Sequence, residues 1–136
     1  MSVEAALQKA IVGRLKGNAP LTAIVAGRIY DRVPADAPYP YVTIRNIQVV
    51  DGGAECVDGA EVYIDLDVWS NAVGKVEASR GASAVRRALH EADLPLDEPY
   101  ALTEIAHRDT NVGDGGDELL TRARMTFRAL VESVEN

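Results

Sequence analysis

The residues of this sequence that could do chemistry are two histidines, one cysteine and an acidic turn. His107 stands beside Arg108 and Asp109 and could act as a base, but no serine or cysteine accompanies it in a known nucleophile motif. His90 falls beside the apolar stripe of a predicted helix, where a surface histidine is the plainer interpretation. Cys56 lies in an acidic, glycine-rich stretch. Since reactive cysteines favour electropositive surroundings, no catalytic role is expected for it.

The acidic turn offers hard oxygen ligands, which would suit a cation such as Ca²⁺. Their spacing does not fit the calcium-binding loop with its distant glutamate, and the glycines of the turn serve a hairpin equally well. A solvated turn is the favoured interpretation, and an enzyme with a metal here remains a rival hypothesis. The residues concerned are Asp109, Asp114, Asp117 and Glu118. Dinucleotide, phosphate-loop, zinc and serine-hydrolase motifs are absent from the sequence, so no motif identifies a catalytic, cofactor or metal site.

Length and charge limit the classes of function further. The chain has 136 residues, which fits one domain over 1–136, and its net charge is −7. This charge argues against binding nucleic acid through its phosphates and against an anionic membrane surface. No stretch reaches the roughly 20 apolar residues that span a bilayer, and the single cysteine excludes an intrachain disulfide. A soluble intracellular product is expected when the protein is made.

The elements that must position these residues follow from hydrophobic periodicity. Apolar residues recur at helical spacing in two segments and alternate with polar ones in several others. Turn residues separate the segments, and three prolines make 34–40 a rigid loop. The pattern predicts helices over 2–17 and 74–92, a short helical turn over 20–27, and strands over 28–33, 41–50, 60–69, 100–112 and 119–132.

The order of these elements predicts an α+β fold. Residues 41–69 read as a long hairpin, and a second hairpin ends the chain. We therefore expect an antiparallel sheet of about four to five strands with two helices packed on one face. The second helix carries a stripe of mostly small residues, which would let it lie close to the sheet.

Two strands carry charges of opposite sign on the face turned away from the core. In 60–69, Asp65, Asp67 and Trp69 alternate with apolar residues, and residues 51–67 hold six acids and no base. The last strand places three arginines on one face: Arg122, Arg124 and Arg128. Either this is a solvated face with cross-strand charge pairs, or it meets another subunit, and an outward tryptophan is typical of an interface core. The residue types leave the two interpretations open.

Four segments in order resemble the tail completion, or tail-terminator, family of long-tailed phages and gene transfer agents. They are "GRIYDRVPADAPYPYVTI" (27–44), "LDVWSNAVGKVEA" (66–78), "RRALHEADLPLDEPYAL" (86–102) and "RARMTFRALVE" (122–132). The resemblance covers nearly the whole chain. It implies an α/β fold with an antiparallel sheet, no enzymatic activity and no cofactor. It also implies a hexameric ring that caps the tail tube, joins the tail to the head and sits in the virion, after assembly in the host cytoplasm.

Within such a ring, three groups of residues are expected to make contacts. Ring closure is heterologous, so the acids and arginines of the polar face would pair across the subunit boundary, with the tryptophan beside them. The residues of this expected interface are Asp65, Asp67, Trp69, Arg122, Arg124 and Arg128. The proline-rich loop would form a docking rim through Tyr39 and Tyr41 for the tail tube protein or for the head–tail connector or stopper protein. The hairpin tip, with Asp51, Glu55 and Asp58, would line the channel, where negative charge lets DNA pass without specific binding.

A different class of function uses the same residues. A small binding or regulatory module could dimerise through its sheet with two-fold symmetry. The mass of the assembled species separates the two hypotheses, because a discrete dimer favours the module and a monomer–hexamer system favours the tail protein.

Overall fold

A computed structural model of the chain describes residues 2–51, 59–117 and 119–133. Three helices and five strands are present in this part of the chain. The predicted order of elements is confirmed, and the short helical turn is a helix of two turns. In chain order they are α1 (Val3–Lys16), α2 (Ala19–Val25), β1 (Ile29–Tyr30), β2 (Tyr41–Asp51), β3 (Gly59–Ser70), α3 (Val76–Leu89), β4 (Tyr100–Asp114) and β5 (Thr121–Ser133).

The first two helices begin at side-chain caps. The Ser2 hydroxyl accepts a hydrogen bond from the Ala5 N–H at 3.1 Å, and the Asn18 side chain accepts from the Leu21 N–H at 3.0 Å. Each cap satisfies an amide that has no partner inside its own helix. The second helix ends at Ala26 and Gly27, which both have positive φ, so the chain turns sharply into β1.

The five strands form one sheet in the order β1-β2-β3-β5-β4. The strand β1 runs parallel to β2, and the other three pairings are antiparallel. The expected α+β fold is confirmed, with this parallel strand and a third helix added to it. Because β5 lies between β3 and β4, the helix α3 crosses over β5 on its way from one to the other.

The helices and the sheet enclose a core of aliphatic residues. Val62, Ile64, Leu66 and Val68 of β3 are all fully buried, as the alternation predicts. The stripe of small residues on α3 is buried as well, and a methyl group added at Gly81 would lie 2.8 Å from the Val68 side chain. The small residues therefore bring α3 within direct contact of the sheet, which leaves the other face of the sheet free of helices.

The strand directions give the molecule two distinct ends. The loops 34–40 and 71–75 and the residues 115–117 and 119–120 meet at one end, which we call the rim end. At the opposite end β2 ends at Asp51 and β3 begins at Gly59, and we call it the tip end. At the rim end, Val73, Val76 and Leu119 are exposed.

Candidate interaction surface

The helix-free face of the sheet is organised around a buried carboxylate. Strand alternation places Asp67 on this face, opposite Thr43 on β2 and Arg124 on β5. Its side chain is nevertheless only 1% exposed, because two arginines cover it. Arg122 Nη2 lies 2.7 Å from Asp67 Oδ2, and Arg45 Nε lies 3.2 Å from the same oxygen. A buried carboxylate with two guanidinium partners holds three strands in register.

Trp69 completes this cluster. Its indole N–H donates to the Thr43 hydroxyl at 3.3 Å, and the Arg122 guanidinium stacks over the ring at 4.8 Å from its centre. Gly115 approaches the other side, where an added methyl group would lie 3.2 Å from the ring and 3.0 Å from the Leu120 side chain. The tryptophan therefore lies against its own strands and loop, half-buried, instead of projecting from them.

The remaining charges of this face also pair within the chain. Asp65 accepts a hydrogen bond from the Thr126 hydroxyl at 2.8 Å, with Arg45 Nη2 at 3.7 Å. Glu61 and Arg128 form an ion pair, and this hydrogen bond lowers the pKa of the carboxyl and raises the pKa of the guanidinium. Asp65 and Thr126 are direct partners in the register of β3 and β5, whereas Glu61 reaches diagonally to Arg128, whose direct partner is Tyr63.

The structure thus brings together three of the six residues predicted for a subunit interface: Asp67, Trp69 and Arg122. Asp65 lies beside them through Arg45, whereas Arg128 pairs with Glu61 at the tip end. The Arg124 side chain is exposed, and among the described residues it makes no ion pair. In-chain pairing weighs against this face as the subunit contact, because using the same charges across a boundary would require breaking these pairs first.

Sequence reasoning missed Arg45 and Thr43. Arg45 stands at an irregularity of β2 between Ile44 and Asn46, and it shares the helix-free face with Thr43, two residues before it. A bulge has no sequence signal of its own. Thr43 faces Asp67 and could have been found only from the register of the first hairpin.

The docking rim differs in part from the prediction. Tyr41 is buried, at 8% exposure, because it stacks on Tyr39 at 5.0 Å and meets the edge of Tyr30 at 5.8 Å. Burial and the neighbouring tyrosines raise the pKa of Tyr41 to about 12. It therefore offers no contact area, contrary to expectation. Tyr39 is half-buried and lines an open groove of 610 Å³ at the rim end, together with Val73 and Leu119.

The rim is held in place by hydrogen bonds to its backbone. Arg28 donates from Nε to the Pro40 carbonyl at 3.0 Å and from Nη2 to the Tyr39 carbonyl at 3.3 Å. The Thr121 hydroxyl donates to the Gly74 carbonyl at 3.1 Å and so joins the two other loops of this end. The loops that carry the groove are thereby positioned before any partner arrives.

The predicted channel loop lies mostly outside the described residues. Asp51 ends β2, while Glu55, Asp58 and Cys56 belong to the stretch 52–58 that the structure does not describe. Its placement in a channel stays a prediction.

The histidines have structural partners. His90 Nδ1 accepts a hydrogen bond from the His107 N–H at 3.0 Å and so ties the end of α3 to β4. His107 Nε2 lies 2.6 Å from the Thr110 hydroxyl, and Arg86 Nε lies 3.4 Å from its Nδ1. Burial, followed by the charges of Arg86 and His90, lowers the pKa of His107. Both rings serve the packing of α3 against the edge of the sheet.

The acidic turn also bonds within itself. Asp114 and Asp117 each accept a hydrogen bond from a backbone N–H two residues ahead, at 2.8 and 2.9 Å. In the described ranges, no group of three or more histidine, cysteine or acidic side chains is placed to hold a metal ion. Within the same ranges, no helix is long and apolar enough to cross a membrane.

Comparison with known proteins identifies relatives over nearly the whole chain. The family described as "Tail completion protein gp17" matches residues 9–132. A chain from a structure titled "Virion of native gene transfer agent (GTA) particle" shares 30% identity, with a TM-score of 0.89 over 97% of this chain and 98% of that one. Bacteriophage SPP1 gp17 shares the fold, with 22% identity and a TM-score of 0.56 over 97% and 91% of the two chains. No curated protein matches the sequence.

Proposed function

Since the chain belongs to the family of tail completion protein gp17, we propose that it forms a hexameric ring that caps the tail tube and joins the tail to the head. The protein is a structural component of a phage or phage-like particle, at the junction of tail and head. The proposal covers the number of copies, which is six. It also covers two contacts, one with the tube protein and one with the head connector or stopper.

One observation carries the proposal. The likeness to the chain of the gene transfer agent virion extends over 97% of this chain and 98% of that one. The alignment is therefore long enough to include every strand and helix of this chain, and the aligned protein is itself part of an assembled particle. Similarity over the full length favours the same position in the particle over a common core that serves a different function.

The charge of the chain suits a channel for DNA. A net charge of −7 repels the phosphate backbone, so DNA would pass the ring without binding to its wall. We include the tip 51–58, with Asp51, Glu55 and Asp58, in the lining of this channel.

The proposal is of a structural role without catalysis. The two histidines, which are the obvious candidates for acid–base chemistry, are engaged in hydrogen bonds between α3 and β4. Neither faces one of the open grooves at the rim end. Both are accounted for by packing.

Docking to a neighbouring ring is assigned to the rim end. Tyr39 lines the groove, and Val73 and Leu119 are among the most exposed apolar side chains of the described residues. Apolar side chains held out on hydrogen-bonded loops are typical of a contact surface for another protein.

Deleting the gene and imaging the particles tests the proposal. We expect heads without tails and tails without heads, and joining should return when the intact gene is supplied. A variant with Ser83→Lys, an exposed site in the middle of α3 and away from the rim end, should restore joining as well and serves as the control. Normal joined particles from the deletion would contradict the proposal, and a discrete two-fold dimer in solution would favour the small binding module instead.

A further inference from the structure

Both edge strands of the sheet have a stretch that no other part of the described chain covers. On one edge, β1 pairs with β2 only at Val42 and Thr43. From there to residue 51, β2 has no strand beside it on that side among the described residues. On the other edge, β4 pairs with β5 on one side only. After their last irregularities, at Arg45 and Arg108, each strand offers six residues: 46–51 and 109–114.

The direction of the backbone groups on β2 follows from one hydrogen bond. The Val42 N–H donates to the Arg28 carbonyl, so residue 42 turns its N–H and C=O toward the edge. Its partner on β3 is Val68, and every second residue of β3 has a partner that points the same way: Ile47 opposite Ile64 and Val49 opposite Val62. Ile47 and Val49 therefore present unpaired backbone groups at the open edge.

The backbone groups of β4 alternate in the same way. The Ile105 carbonyl accepts from the Glu91 N–H, and the His107 N–H donates to His90, so these residues point away from β5. They face Ala129 and Phe127 on β5, and continuing by two along β5 gives Thr110, Val112 and Asp114. The end of α3 thus covers the edge at 105–107, while the edge at 109–114 has no such cover among the described residues.

An uncovered edge with these residues invites pairing. Natural proteins protect free edges with lysine, proline or a covering segment. Neither stretch contains lysine or proline, and Val49 and Val50 are exposed beside the free amides. Their exposure places β-branched side chains where a neighbouring strand would cover them.

We propose that the open edge of β2 in one copy pairs with the open edge of β4 in the next copy, in antiparallel sense, with Val49 opposite Val112. This inference rests on the proposed ring and names the contact that closes it. In the sheet, β2 and β4 run in opposite directions and lie on opposite edges. Joining the β2 edge of one copy to the β4 edge of the next therefore gives an antiparallel pair. It also keeps the helices of all copies on the same side of the continuous sheet.

The register pairs matching residue types. Val49 and Val112 both turn their backbone groups outward, so they form a hydrogen-bonded pair with two β-branched side chains on the helix side. Val50 then stands opposite Asn111 on the helix-free face. The strand β1 ends at Tyr30, level with Thr43, and does not obstruct the incoming strand.

The geometry of this pairing is that of a closed barrel. Within one copy Val49 is level with Ala129 on β5, whereas Val112 is level with Ala123, six residues away. Pairing them shifts each copy by about 20 Å along the strands, over four strands about 19 Å wide. Strands would lean by roughly 45° from the ring axis, near the 35–45° of barrels. The contact is heterologous and uses one edge of each kind, so every copy carries both halves of it, and a closing rotation gives a ring.

Cysteine cross-linking tests the register. In protein with Cys56→Ser, Val50→Cys and Asn111→Cys would face each other as a non-hydrogen-bonded pair, which suits a disulfide. Oxidation of purified tails should give a ladder of linked chains up to the closed ring. Val50→Cys with Val112→Cys is the matched control, because neighbouring residues of a strand point to opposite faces. This control should give no ladder.

The outcomes separate this inference from the proposed function. If the pair Val50→Cys and Asn111→Cys gives no ladder in joined particles, or if both pairs link equally, the edge pairing is overturned and the joining function stands. If the wild-type chain is missing from the junction, the proposed function fails. In that case, oxidation of the concentrated, purified Val50→Cys and Asn111→Cys protein tests the edge pairing separately. A ladder of linked chains supports the pairing, and its absence overturns it.

A second variant avoids cysteine chemistry. Val49→Lys places a charge on the open edge without entering the core, since Val49 is 36% exposed. We expect an unchanged melting temperature and at least a tenfold loss of rings on tubes. Ser83→Lys, at an exposed site on α3 away from both edges and from the rim end, should leave ring formation intact. Rings formed normally by Val49→Lys would overturn the inference.

Discussion

Asp67 Oδ2 lies 2.7 Å from Arg122 Nη2 across the boundary between β3 and β5, and the carboxylate side chain is 1% exposed. The sequence places both residues on the face turned away from the core, where a solvated pair would be expected. The pair is buried because Arg45 and Trp69 close over it. An outward position in a strand is therefore compatible with burial when long neighbouring side chains lie flat on the sheet.

We expect Asp67→Asn to destabilise the protein by about 3 kcal/mol, because Arg122 and Arg45 would lose their shared anion in a poorly hydrated site. Urea unfolding at pH 7 measures the change. Asp97→Asn is the control: its ion pair with Lys9 is 2.8 Å long but 42% and 70% exposed. Breaking that pair should cost less than about 1 kcal/mol. Equal losses in the two variants would contradict the account of the cluster.

Acidification should weaken the contact between α3 and β4. The pKa of His107 is lowered from 6.5, first by burial and then by Arg86 and His90, with Asp109 opposing. A lowered pKa means that the unfolded chain takes up a proton that the folded chain resists. The contribution is therefore complete above the unfolded value and is lost as pH falls below it.

The measurement is the free energy of unfolding between pH 7.5 and pH 5. We expect it to decline in this interval for the wild type, and to decline less for His107→Gln, which keeps a polar side chain but does not titrate. The carboxyl of Glu61, whose pKa is also lowered, loses its contribution only at more acidic pH. Parallel pH profiles for the two proteins would rule His107 out as the cause.

Tyr39 and Tyr41 should separate docking from stability. Tyr39→Ala removes a half-buried ring at the groove, so we expect an intact fold and fewer joined particles. Tyr41→Ala removes a buried ring and should cost about 3 kcal/mol of stability. Thermal melting and particle counts by electron microscopy measure both. Normal joining by Tyr39→Ala at full expression would remove the groove from the docking surface.

Arg124 tests the helix-free face as a subunit contact. Its side chain is exposed and makes no ion pair among the described residues, so Arg124→Glu changes the charge of the face without breaking an ion pair. If subunits meet through their edges, rings should form as in the wild type with unchanged melting. Loss of rings at normal stability would instead support the sequence-based hypothesis that subunits meet across this face.

The sequence predicts the elements of this fold better than their neighbours in the sheet. Alternation in β3 and β5 identifies the core residues, because both strands are buried on one side only. It does not reveal that β3 and β5 are adjacent, since α3 and β4 separate them along the chain. The pairing of Asp67 with Arg122 and of Glu61 with Arg128 depends on that adjacency.

Two local errors have different causes. Tyr41 was expected on the surface because it follows a proline-rich loop, but Tyr30 and Tyr39 stack around it after the chain folds back. Arg45 was missed because its contact with Asp67 depends on the register of the first hairpin, which a bulge at this residue shifts. Neither the ring stacking nor the bulge is encoded in the hydrophobic period.

A cryo-electron microscopy reconstruction of the head–tail junction in intact particles tests the central claim most directly. The account predicts a ring of six copies of this fold between the tail tube and the head connector, with the open edges of neighbouring sheets in contact. A junction built without this chain, or a chain located elsewhere in the particle, would contradict it.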